Sequence, residues 1–165
     1  MNVGVISLGC AKNQVDTERM LGLLSRFGYA FTPDPREAEV LIVNTCGFID
    51  PAKEESINTI LEMSQYKERG RCRVLVATGC LTERYRQELL SEMPEIDVLL
   101  GVREYEKLPA LLAEKLDEPL PKLSCGLGDR LLTTPPYRAF LRTGDGCNNR
   151  CTYCAIPLKI GRAYV

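Results

Sequence analysis

The sequence predicts an α/β fold: an open, mainly parallel sheet with helices on both faces. Three observations carry that prediction. Apolar runs and amphipathic helical stretches alternate four times over residues 1–118. The turns between them are short, as in βα units. The apolar runs are continuous, as expected of strands buried on both faces.

Taken in order, residues 3–8 form a short apolar run and read as the first strand. Val15, Met20, Leu23, Leu24 and Phe27 then recur at helical spacing, and Gly28 ends the helix. The second strand is residues 40–43. After it, Asp50 is placed as an N-cap with Pro51 in the first helical position. Glu54 and Glu55 follow where the helix dipole favours acids. Ile57, Ile60, Leu61 and Met63 supply the buried stripe, and Gly70 closes the helix. The third strand is 74–77, with a helix over about 82–91 and Pro94 beyond its end. A short strand at 97–100 precedes a helix over about 105–116. Residues 119–136 are rich in Pro and Gly and read as a linker. Residues 137–142 read as a strand that opens a second domain, spanning 137–165. Right-handed crossovers place every βα loop of the first domain at the carboxyl edge of its sheet.

Apolar and charged fractions of 45% and 26% are those of an ordinary soluble protein. No apolar run approaches the roughly 18 residues of a membrane span. The first residues lack the basic region and cleavage site of a signal peptide and read as a strand. The expectation is a cytoplasmic protein with reduced thiols. Histidine is absent, which excludes Ser-His-Asp triads, Cys-His dyads and His-containing zinc sites. The 8 cysteines are left with disulfides, all-thiolate zinc or iron–sulfur. The net charge is −1, but Arg138, Arg142, Arg150, Lys159 and Arg162 face Asp145 alone in the last 28 residues. The rest of the chain offers no basic face for nonspecific nucleic-acid binding.

Cys147, Cys151 and Cys154 form C-x3-C-x2-C. Three thiolates this close suit three irons of a [4Fe-4S] cubane and leave the fourth iron open. A zinc knuckle would need a fourth ligand, and Asp145 is an unusual one for structural zinc. Tyr153 either stacks on a flat ligand or packs in the core. Cys10, Cys46 and Cys80 each follow a predicted strand, 36 and 34 residues apart. A free cysteine is commonly a small buried hydrophobe, but these three hold equivalent positions in successive βα units. They are expected at one sheet edge, where open α/β sheets bind ligands and helix N-termini favour an anionic cluster. Gly9, Gly47 and Gly79 beside them would let backbone approach a bulky cubane. Cys72 precedes a strand and Cys125 lies in the linker; both are read as non-ligands.

C-x3-C-x2-C with an aromatic before its last cysteine resembles the signature of radical S-adenosylmethionine enzymes. A βα domain carrying Cys10, Cys46 and Cys80 ahead of it resembles the methylthiotransferases of that group. The stretches Ile6-Ser7-Leu8-Gly9-Cys10-Ala11-Lys12-Asn13, Asn44-Thr45-Cys46-Gly47-Phe48-Ile49-Asp50, Gly79-Cys80-Leu81-Thr82-Glu83-Arg84-Tyr85 and Leu100-Gly101-Val102 are similar in wording to the branch that modifies small-subunit ribosomal protein twelve. Another branch modifies an adenosine beside a tRNA anticodon. The resemblance implies two [4Fe-4S] clusters, one on Cys147, Cys151 and Cys154 and an auxiliary one on Cys10, Cys46 and Cys80. It also implies S-adenosylmethionine, which Tyr153 would contact, and an electron donor such as flavodoxin or ferredoxin. The first cluster would cleave S-adenosylmethionine to a radical that takes hydrogen from an aspartate β-carbon. The auxiliary cluster would carry the sulfur that is methylated and transferred. Residues 137–165 would be the first strand and cluster loop of a radical-enzyme partial barrel. With the rest of that barrel and a substrate-binding TRAM domain outside this sequence, the expectation is that the 165-residue chain alone is inactive. Two other classes stand beside this one. An iron–sulfur electron carrier or scaffold would hold clusters without cleaving S-adenosylmethionine, although carriers favour fully ligated irons. A zinc-stabilised interaction module would be colourless and contain zinc.

Overall fold

Continuous apolar strands need cover on both faces, and the fold supplies it. The structure, a computed structural model, describes residues 1–120, 130–144, 146–149 and 151–152. Among them, β1 (Asn2–Ser7), β2 (Ala30–Phe31), β3 (Val40–Thr45), β4 (Val74–Gly79) and β5 (Val98–Leu99) form one sheet. Every pairing is parallel and the order is β2-β1-β3-β4-β5. The register runs from Val3 opposite Val40 to Ser7 opposite Asn44, and from Val40 opposite Val74 to Thr45 opposite Gly79. The strand ends after β1, β3 and β4 are therefore level.

Alternate residues of the central strands serve opposite cores. Val40, Ile42, Val74 and Val76 join Met20 and Leu24 of α1 (Ala11–Arg26). Leu41, Val43, Leu75 and Ala77 join Ile60 and Met63 of α2 (Asp50–Ser64) on the other face. The short helix α3 (Tyr66–Arg69) extends α2. Leu81 of α4 (Cys80–Arg84) and Leu89 of α5 (Arg86–Glu92) complete that second face. Leu108, Leu112 and Leu116 of α6 (Leu108–Leu116) complete the first. Because α1 and α2 leave on opposite faces, the chain direction reverses between β1 and β3. A crevice opens at such a switch point, outside the strands' carboxyl ends.

The structure departs from the sequence reading in five places. β2 is an additional edge strand, and its two residues are too few to carry a periodic signal. The cap of α2 is Ile49 in extended conformation, not Asp50. Asp50 pairs instead with Lys53 at 2.5 Å, and that hydrogen bond holds its carboxyl below the usual range. The helix placed over 82–91 starts at Cys80 and breaks at Tyr85, whose φ of −119° and ψ of 34° are not helical. The last helix opens with a 3-10 turn, Tyr105–Lys107. Residues 137–142 form no strand: a strand needs a ladder partner, and no described residue pairs with this segment.

Candidate metal centre

Cys10 caps α1 in extended conformation, directly after Gly9 at φ +90°. Its side chain is exposed. Cys46 follows β3, and its backbone is fastened twice to Ser56 of α2. Its N–H donates to Ser56 Oγ at 3.0 Å, and its carbonyl accepts from the same hydroxyl at 2.8 Å. Cys80 is the first residue of α4, directly after Gly79 at φ +105°. Cys46 and Cys80 are half-buried. All three thus stand at the carboxyl edge, two of them flanking the switch point. The first two loops touch: a Cβ built on Gly9 would lie 2.9 Å from Cys46 Sγ. The third loop reaches the first through Cys80 Sγ, 3.8 Å from Asn13 Oδ1. Among the described residues, no three His, Cys, Asp or Glu side chains are grouped closely enough to hold one metal ion. The donor set is nevertheless one that suits iron–sulfur: thiols from three successive loops, two at helix N-termini.

Beneath the thiols lies a buried polar layer that the sequence reading passed over. Asn13, Asn44, Thr45 and Thr78 are each at most 3% exposed. Asn44 Nδ2 donates to Asn13 O at 2.8 Å and to Thr17 Oγ1 at 2.9 Å. Thr45 Oγ1 donates to Thr78 O at 2.6 Å. Thr82 Oγ1 lies within hydrogen-bond distance of both Gly79 O, at 2.9 Å, and Leu100 O, at 2.6 Å. The available signal was polarity at the last positions of otherwise apolar strands: Asn44-Thr45 and Thr78. The amide nitrogens of Asn13 and Asn44 and the hydroxyls of Thr45 and Thr82 are all partnered, as a buried network requires.

The segment leading to the second cysteine motif docks on α1. Glu18 is fully buried there. Its carboxylate accepts from Thr133 N–H and Thr133 Oγ1, both at 2.9 Å, and from Arg130 Nε at 2.7 Å. Burial pushes the Glu18 pKa up, but these donors and the Arg130 charge outweigh it and hold the carboxyl below its ordinary value. Leu131 N–H donates to the Glu18 carbonyl at 2.9 Å. Two residues nearer the start of α1, Asp16 receives Arg142 and, at 3.1 Å, Lys12. Thr133 and Phe140 thereby line a cleft of about 320 Å³ together with Gly9 and Cys10. Cys147 is half-buried and Cys151 exposed. Cys154 and Tyr153 lie outside the described residues, as does Cys125. Cys72 sits in the core beside Leu41 and Leu75, and burial pushes its thiol pKa up.

The fold and site define a class: a parallel α/β domain with a cysteine after each of three neighbouring strands, β1, β3 and β4. Residues 2–101 match the family described as "Uncharacterized protein family UPF0004", and the chain belongs to that family. It is also similar to proteins named ribosomal protein uS12 methylthiotransferase RimO. The one from Clostridium acetobutylicum is 48% identical over 98% of this chain and 38% of its own length. That from Clostridium perfringens strain 13 is 50% identical over 97% of this chain and 38% of its own. That from Symbiobacterium thermophilum is 47% identical over 98% and 35%. The chain therefore spans less than two-fifths of the length of these relatives. No helix among the described residues is long and apolar enough to cross a membrane.

Proposed function

We propose that this chain is the amino-terminal portion of a methylthiotransferase acting on an aspartate β-carbon of small-subunit ribosomal protein uS12. One observation carries the reading: Cys10, Cys46 and Cys80 each follow a strand at the carboxyl edge of one sheet, in a chain 46–50% identical to proteins named for that activity. In this reading residues 1–118 are the methylthiotransferase domain, 119–136 a linker and 137–165 the opening of the radical-enzyme domain. Cys10, Cys46 and Cys80 hold the auxiliary [4Fe-4S] cluster; Cys147, Cys151 and Cys154 hold the second, with Tyr153 against S-adenosylmethionine. When bound, the clusters and S-adenosylmethionine supply the radical, the sulfur and the methyl group. Flavodoxin or ferredoxin would deliver electrons to a cytoplasmic enzyme.

The chain's own residues supply the framework. The N-terminus of α1 puts a positive dipole end behind Cys10. Ser56 fixes the backbone of Cys46. Glu18 and Asp16 anchor Arg130 and Arg142, on the approach to the second motif, to the helix that begins after Cys10. The test uses the complete gene product containing this chain, with S-adenosylmethionine, a reductant, and either uS12 or a tRNA. A methylthio mass gain on the uS12 aspartate is the expected outcome. A gain on a tRNA adenosine instead would transfer the chemistry to the other substrate. Modification of neither, in enzyme loaded with clusters, would remove the enzymatic reading and leave an electron carrier.

A further inference from the structure

Asn13 lies in the first turn of α1, three residues after Cys10, and is 1% exposed. Its amide is used at both ends. Nδ2 donates to Leu8 O and to Thr45 O, both at 2.9 Å. Leu8 stands two residues before Cys10, and Thr45 immediately precedes Cys46. Oδ1 accepts from the Cys80 thiol at 3.8 Å. One side chain therefore touches the loop of each of the three cysteines. The two carbonyls fix its orientation, because a flipped amide would set Oδ1 against both of them. Its surroundings are cut to fit. A Cβ on Gly9 would come within 3.4 Å of Nδ2, and one on Gly79 would press into the Thr45 carbonyl that Asn13 uses.

We propose that Asn13 is the positioning residue that sets the mutual spacing of the three thiol loops, so that Cys10, Cys46 and Cys80 can serve one cluster; this rests on the cluster reading above. Alanine and serine are too short to span three loops, and aspartate has no donor for the two carbonyls. A buried amide is a poor source of stability compared with apolar packing. What it does supply is a fixed geometry for the groups it bonds, the part that residues behind metal ligands play.

The test reconstitutes the chain anaerobically in a Cys147→Ser/Cys151→Ser/Cys154→Ser background, where iron reports on the first set alone. Asn13 is compared with Asn13→Ala and Asn13→Asp. Iron and sulfide per chain, the electron paramagnetic resonance spectrum after reduction, and loss of iron to a chelator are measured. Circular dichroism of the metal-free proteins monitors the fold. The expected result is a retained fold, an altered resonance spectrum and iron loss about tenfold faster or more. Equal iron, an unchanged spectrum and equal loss would overturn the proposal while leaving the cluster reading in place. No iron even with Asn13 intact would overturn the cluster reading and the proposal with it. Should neither variant fold, the unsubstituted loaded protein decides by magnetic resonance. Asn13 side-chain amide protons that are exchange-protected and relaxed by the cluster support the role; sharp, freely exchanging ones overturn it.

Discussion

Gly79 occupies φ +105°, and a Cβ there would press into the Thr45 carbonyl and stand 2.5 Å from Asn44 Oδ1. At Gly79 and Gly9 the missing Cβ makes room for the neighbouring loop. The residue type was legible in the sequence, but its reason depends on a contact between segments distant in the chain. Gly28 is the natural comparison: it is left-handed too, at φ +77°, but has open space around it. Gly28→Ala should cost only the backbone strain, about 1–2 kcal/mol. Gly79→Ala should cost more, because the clash is with backbone that cannot yield cheaply. Urea unfolding of the two variants measures the difference, and equal losses would contradict the packing described. Cys72, buried among Leu41, Leu75 and Met63, gives a second contrast. Cys72→Ser should lower stability by about 1–3 kcal/mol through a poorly satisfied buried hydroxyl, and leave bound iron unchanged.

Among elements, α1 does two jobs that its sequence only half reveals. Its apolar stripe was legible as Val15, Met20 and Leu24, because helical periodicity is local. Its second role was not, because Asp16 and Glu18 bond partners 112 to 126 residues away. The same limit hid β2, whose two residues gain their conformation only from pairing with β1. Glu18→Ala would leave Arg130 without its buried partner. The expected loss in docking of residues 130–144 is roughly 2–4 kcal/mol, below the value for a fully buried pair because Arg130 keeps 24% of its side chain in water. Hydrogen exchange of Leu131 and Thr133 amides reads it.

Acid should act at the same joint. A carboxylate whose folded pKa lies below its unfolded one contributes stability above the unfolded value and loses it as pH falls. Glu18 is held below its ordinary 4.5, so the docked segment should loosen as pH drops beneath that value. Glu18→Gln should abolish this dependence. Glu104 behaves alike just before the 3-10 turn Tyr105–Lys107. Lys107, the Gly101 N–H and Arg86 hold it down to about 2, so its contribution should fade between about pH 4.5 and 2.

At the scale of the molecule, the fold class was legible because continuous apolar runs and helical stripes agree at every level from β1 to α6. The edge carrying Cys10, Cys46 and Cys80 followed from the parallel direction of the strands, which sets all their carboxyl ends at one edge. The crevice between β1 and β3 did not, since it depends on strand order, which local patterns leave open. Nor did the docking of Arg130, Thr133 and Arg142 on α1. The central claim is that the three loop thiols share one cluster. Its most direct test is iron and acid-labile sulfide per chain after anaerobic reconstitution, beside a Cys10→Ala/Cys46→Ala/Cys80→Ala variant. The account predicts that the variant binds roughly four fewer irons, one cubane. Equal iron in both proteins would contradict it and make those three cysteines ordinary residues of an α/β domain.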